Sequence, residues 1–347
     1  MTQSSGSILS AAKLRPLRGE AQEGPGNERY VRQMVLPEVG PEGQARLAGA
    51  CVLVVGAGGL GCAVLEYLCA AGVGRLLIVD PDCVEASNLH RQPLYRTEEL
   101  GQPKALAARA SLLRLNPQVL MEAAVERITP ANAASWVSRA GLIVDAADSL
   151  ALTYTLSDEC RRQGRALVSA SVQGLAGYVG AFCGGAPSYR AVFPDMPHQA
   201  GSCASTGVLG TAVGVMGTLQ AHMTLAHLLE LDPPVLGRVV SVDFRTLRFG
   251  GFSFASAAEP LGPQLRFIAP GEVSEADVIV DLRSLTEAPV SPFPAALRLG
   301  LEQMQAYALP PGPRVVLCCR SGVRAWRAGR ELLARESRDI ALIALGE

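Results

Sequence analysis

Gly56, Gly58 and Gly61 stand in the spacing G-x-G-x-x-G, with Gly59 inside the loop. The motif follows the continuous apolar run at 51–55 and precedes a helical stretch. The first glycine permits a tight turn, the second lets a phosphate approach the backbone, and the third lets helix and strand pack closely. The start of the helix offers unpaired N–H groups and a positive dipole end to an anion. Asp80 lies nineteen residues after Gly61, placed to hold ribose hydroxyls. These residues point to a nucleotide. Alone they do not separate NAD from ATP.

The surrounding residues separate the two. The run DPDCVEASNLHRQ carries Asp82, Asn88, Arg91 and Gln92, and GQPKA carries Lys104. RYVRQ near the start adds Arg32, and DAAD adds Asp148. A hydride-transfer site has little use for three cations near phosphates, whereas adenylation needs them. A carboxylate attacks the α-phosphorus, charge builds on the phosphoryl oxygens, and pyrophosphate leaves. Arg and Lys stabilise that charge and a carboxylate holds Mg²⁺. The chain has no G-x-x-x-x-G-K-S/T, which excludes a P-loop kinase or ATPase. An NAD(P)-dependent oxidoreductase shares the glycine loop and Asp80, but leaves NLHRQ and GQPK unexplained.

The elements that must position these groups read as an α/β fold. Buried strands are predicted at 51–55, 76–80, 141–148 and 165–172, with helices to about Ala71 and over 103–115. Such alternation implies a doubly wound, mostly parallel sheet. Asp80 and Asp148 fall at strand C-terminal ends, where such sheets bind ligands. Residues 1–26 read as a loose leader, 27–254 as the main domain, 255–275 as a linker, and 276–347 as a small βα unit.

In combination RYVRQ, VVGAGGLGC, AGVGRLLIVDPDCVEASNLHRQ, GQPKA and DAAD resemble the MoeB/ThiF/E1-like activating enzymes over about residues 27–250. The resemblance implies a Rossmann-like domain, usually homodimeric, that uses ATP to adenylate the C-terminal Gly-Gly of a small ubiquitin-like sulfur-carrier protein. It implies that Asp80 binds ribose, that Arg91, Gln92 and Lys104 contact phosphates beside Asn88, and that Asp148 coordinates Mg²⁺. Arg32 is expected to reach ATP, in its own or the partner subunit's site. Two departures stand out. Ser149 replaces the usual Asn after the Mg²⁺ aspartate. The first zinc-binding CxxC pair would fall at 188–191, where Ser188, Tyr189, Arg190 and Ala191 stand, so no zinc is expected.

Cys203, in GSCASTGVLG, matches the family's loop cysteine, which takes part in thioester or acyl-disulfide steps. Cys319 opens CRSGVR, which looks like the CRxGxR loop of rhodanese sulfurtransferases. Loop N–H groups, Arg320, Arg324 and a helix dipole suit it to a persulfide anion. VIVDLR at 278–283 resembles the early rhodanese strand, but the domain is short and its usual His-containing segment is missing. A degenerate structural remnant is the alternative. The joined architecture resembles the MoeZ-type adenylyltransferase/sulfurtransferases, with a persulfide donor such as a cysteine desulfurase.

Composition narrows the setting. The chain has 347 residues, 49% hydrophobic and 18% charged, with net charge −1, so nothing indicates a nucleic-acid or membrane partner. Nine cysteines, an odd number without a CxxC pair, argue against a disulfide framework and favour a cytoplasmic location. The apolar stretch 208–231 is interrupted by Gln220, His222 and His227, and reads as a buried or interface helix. Two further alternatives remain open: a non-catalytic carrier-binding partner of a true activating enzyme, and a member that adenylates a short peptide.

Overall fold

The computed structural model describes residues 28–197, 207–335 and 337–346, leaving out the side chain of Gln305. The expected leader and Cys203 lie outside the described residues. Helices α1 (Val31–Met34) and α2 (Gly40–Gly49) lead to β1 (Cys51–Val55), α3 (Gly59–Ala71) and β2 (Arg75–Val79). The alternation continues through α4 (Lys104–Leu115), β3 (Leu120–Ala124), α5 (Pro130–Ser138), β4 (Leu142–Asp145), α6 (Leu150–Gln163) and β5 (Ala166–Gln173). Then come β6 (Ala176–Cys183), α7 (Tyr189–Val192), α8 (Gly210–Leu228), β7 (Arg238–Asp243) and β8 (Arg248–Ser253).

These eight strands form one sheet in the order β3-β2-β1-β4-β5-β6-β7-β8. β1 to β5 run parallel, while β6, β7 and β8 add on antiparallel. The chain builds outward from β1 to β3, then crosses back to β4. The C-terminal ends of β1 and β4 therefore flank the point where strand order reverses, the usual ligand crevice of such sheets. β1, β2 and β4 are apolar along nearly their whole length because helices cover both faces. No helix among the described residues is long and apolar enough to cross a membrane.

A second, smaller sheet follows. It contains β9 (Arg266–Phe267), β10 (Val278–Asp281), β11 (Leu297–Arg298), β12 (Arg314–Cys319) and β13 (Asp339–Ala344), with α9 (Leu301–Ala306) and α10 (Val323–Leu333). Its order is β11-β10-β12-β13-β9, all parallel. The 255–275 stretch, expected as a linker, supplies β9 and buries Leu265, Phe267, Ile268 and Ala269. The strand expected over 141–148 stops at Asp145, and its last three residues turn away.

Candidate functional site

The glycine loop leaves β1 under tight steric control. Gly56 has φ +94°, and a Cβ there would sit 2.8 Å from the carbonyl oxygen of Ala146. A Cβ on Gly61 would lie 2.0 Å from the Gly56 oxygen, and one on Gly59 2.5 Å from Val213 of α8. Gly58 differs: its nearest atom would be the Gln92 side-chain nitrogen at 3.6 Å, so this face of the loop is open. Gly58 caps α3 without a side chain, so the first N–H groups of α3 keep no side-chain acceptor. Uncapped N–H groups of this kind are able to bind an anion.

Asp80, at the end of β2, is buried and pins this loop. Its carboxylate accepts the Ala57 N–H at 2.7 Å and the Asp82 N–H at 2.8 Å. Burial pushes its pKa up, and the two N–H donors oppose that rise. Tyr95 Oη donates to the Ala57 oxygen at 2.6 Å, fixing the next peptide of the loop. Each carboxylate oxygen has lone pairs left for a hydroxyl. Lys104, the buried first residue of α4, places Nζ 3.1 Å from Asp82 Oδ2, and its N–H donates to the Asp82 oxygen.

The NLHRQ loop closes over the glycines. Arg91 donates to Asn88 Oδ1 at 2.5 Å and to the Ser87 oxygen at 3.2 Å. Asn88 in turn donates to Glu85 at 3.2 Å. Gln92 is 3% exposed, and its amide oxygen has no hydrogen-bond partner among the described residues. Such an unmet buried group costs about 1–3 kcal/mol, and it lies beside the open face of Gly58. A cavity of about 250 Å³ opens on the α8 side of this loop, walled by Gly59 and Ala63, by His90, Arg91 and Pro93, and by the first turns of α8; neither Gly58 nor Gln92 lines it.

β4 contributes the acids. Asp148 is exposed on the turn after β4 and forms no ion pair with another described residue. Ser149 caps α6, accepting the Leu152 N–H at 3.4 Å. The substitution of Ser for Asn therefore keeps a helix cap. Asp145, which sequence reasoning gave no role, is fully buried. It accepts the hydroxyls of Thr153 at 2.6 Å and Ser169 at 2.9 Å, and the Ala147 N–H at 3.3 Å. Burial pushes its pKa up to about 6, against those donors. Gln220 of α8 donates to the Asp145 and Val168 backbone oxygens at 2.6 and 3.1 Å. The first Asp of D-x-x-D at a strand end was the available signal.

Gly56, Gly58, Gly59, Gly61, Asp80, Asp82, Asn88, Arg91, Gln92 and Lys104 thus come together, with Asp148 on the adjacent strand end. Arg32 does not join them within one chain. Its neighbours pack at the far end of α3: Tyr30 lies against Gly72, and Gln33 donates to the Ala71 oxygen. With 13 residues, α3 separates the two places by about 20 Å.

Cys319 is elsewhere, at the end of β12, and is fully buried. Its sulfur accepts N–H groups of Gly322 at 3.2 Å and Ala325 at 3.4 Å. Arg324 pairs with Glu287 at 2.7 Å. Converging donors of this kind suit a sulfur anion.

Residues 30–261 match the model of the ThiF family. The chain is 45% identical over 224 residues to the sulfur carrier protein adenylyltransferase of Thermus thermophilus, which covers 62% of this chain and 83% of that protein. It is 47% identical over 228 residues to the adenylyltransferase and sulfurtransferase MOCS3 of Bos taurus, covering 63% of this chain. The match spans 50% of the length of that relative. Among solved structures, PaaA superposes with a TM-score of 0.57 at 22% identity, over 70% of this chain and 78% of that one. The microcin C7 biosynthetic enzyme MccB, with N-formylated MccA, gives 0.59 at 20% identity, over 68% and 74%. These two likenesses concern the fold. The glycine loop, the acid that pins it and the cations around it lie within the matched segment, and the chain belongs to the ThiF family.

Proposed function

We propose that this chain adenylates the C-terminal Gly-Gly carboxylate of a small ubiquitin-like sulfur-carrier protein with ATP, releasing pyrophosphate. The observation that carries the reading is the convergence at the β1/β4 switch point. A pinned glycine loop, Arg91, Gln92 and the Asp82–Lys104 pair surround one open helix N-terminus, with the exposed Asp148 on the neighbouring turn. The names of the matched relatives, which include a sulfur carrier protein adenylyltransferase, support it.

The α3 N-terminus and the open face of Gly58 would receive phosphates, and Asp80 the ribose. Arg91 and Lys104 would stabilise the charge that develops as carrier carboxylate attacks the α-phosphorus. The unmet amide oxygen of Gln92 and Asp148, which has no ion-pair partner among the described residues, fit a phosphate-bound Mg²⁺ site, with Asp148 as the metal ligand. Bound Mg²⁺ would supply charge neutralisation on the phosphoryl oxygens. Arg32 would come from a second copy in a homodimer, since its own chain holds it at the far end of α3. No zinc enters the scheme.

A second stage is assigned to the C-terminal module. A persulfide on Cys319, loaded by a donor such as a cysteine desulfurase, attacks the acyl-adenylate and expels AMP. Cys203 then attacks the Cys319 sulfur of the acyl disulfide, releasing carrier thiocarboxylate and leaving a Cys203–Cys319 disulfide for a cellular thiol to reduce. A cytoplasmic location suits this chemistry. The test is carrier-dependent exchange of pyrophosphate into ATP. Asp148→Ala should reduce it by about 100-fold or more while carrier binding persists, and unchanged exchange would remove Asp148 from its role. Exchange absent from the unaltered protein would leave the non-catalytic, carrier-binding reading.

A further inference from the structure

Residues 188–191, where the resemblance looks for a cysteine pair, are bonded instead towards the C-terminal module. Ser188 donates through its N–H and hydroxyl to Glu259 at 2.7 and 2.6 Å. Arg190 is 5% exposed and grips Asp158 of α6 through two nitrogens at 2.6 and 2.7 Å. It also donates to the Leu265 oxygen at 2.9 Å, just before β9. Its guanidinium lies 4.9 Å from the Tyr154 ring and 5.3 Å from the Trp326 ring, within cation–π range of both. Those rings belong to α6 and α10 and stand 4.6 Å apart. At the rim, Arg330 of α10 pairs with Asp195 at 2.7 Å. One buried guanidinium therefore clasps both modules.

The Cys319 loop meets the first module beside this clasp. A Cβ on Gly322, in the Cys319 loop, would fall 2.7 Å from the Phe267 ring and 3.3 Å from Ala151. Ala151 stands in the first turn of α6, three residues after Asp148. The Cys319 sulfur has no exposed surface. A persulfide adds a second sulfur about 2 Å beyond the first, and both a sulfur donor and an acyl-adenylate must then reach it. In the docked arrangement the buried sulfur presents no surface to either partner.

We propose that the Arg190 clasp is an interdomain latch. Closed, it seals Cys319 against α6, and sulfur enters or leaves only when the C-terminal module lifts from that helix. The inference rests on the sulfur-transfer role assigned to Cys319 above.

The test is alkylation of the native full-length protein by iodoacetamide, with the rate at each cysteine read by peptide mass analysis. Cys319 should react about 100-fold slower than the exposed Cys83, yet about 10-fold faster than Cys160, which only unfolding of the first module exposes. Asp158→Asn, which weakens the clasp from its more exposed side, should raise the Cys319 rate about 10-fold with Cys160 unchanged. Cys319 reacting as fast as Cys83, or no faster than Cys160, would overturn the latch, as would an unchanged rate in Asp158→Asn. If that variant loosens both modules, the comparison within the unaltered protein still decides. Full thiocarboxylate formation by Cys319→Ala would sink the sulfur role while leaving these labelling rates as they are.

Discussion

Asp145 and Asp148 stand three residues apart and do opposite work. Asp148 projects from the turn into open space, whereas Asp145 is buried and holds the turn through Ala147 and the start of α6 through Thr153. Its raised pKa fixes the sign of a pH effect. The folded protein binds the Asp145 proton more tightly than the unfolded chain does, so stability from this group is present below about pH 4 and lost as pH rises through about 6. A change of about two pKa units corresponds to about 3 kcal/mol. Asp145→Asn should abolish that slope. Denaturant unfolding of both proteins between pH 4 and 7 checks it, and parallel profiles would show that Asp145 ionises as an ordinary carboxylate. The sequence showed both acids as a pair but not their division of labour, because burial depends on Ser169 and Gln220, far away in the chain.

At the scale of elements, α3 is the organiser. One end meets the glycine loop, and the other is stapled by Tyr30 and Gln33. The loop's glycines separate into structural and ligand-facing positions. A methyl at Gly61 meets backbone at 2.0 Å, so Gly61→Ala should cost about 1–3 kcal/mol or more as helix and loop are forced apart. A methyl at Gly58 meets nothing closer than 3.6 Å, so Gly58→Ala should unfold as the unaltered protein does while losing pyrophosphate exchange. Equal thermal midpoints for the two variants would erase the distinction. β1, β2, β4, β10 and β12 were legible as apolar runs because both faces are covered. β3 was not: it is an edge strand whose Glu122 faces Arg75 and Arg139 in the open. The two-residue β9 and β11 carry no periodicity at all.

The whole molecule adds what no single element reveals. The meeting of two modules across Arg190, Tyr154 and Trp326 rests on residues far apart in the chain, and no local pattern around CRSGVR announces it. The same scale decides the place of Arg32. In one chain about 20 Å of helix stands between it and the glycine loop, so it serves the site only if a second copy presents it. Arg32→Ala and Asp148→Ala homodimers should then both fail in pyrophosphate exchange. A mixed dimer contains one site with an intact Asp148 and an intact Arg32 from the opposite chain. Random reassortment makes half the dimers mixed, with one such site in each, so mixing the two inactive proteins should restore about a quarter of the activity. Were Arg32 to act within its own chain, every site in the mixture would lack one group or the other and no activity would return.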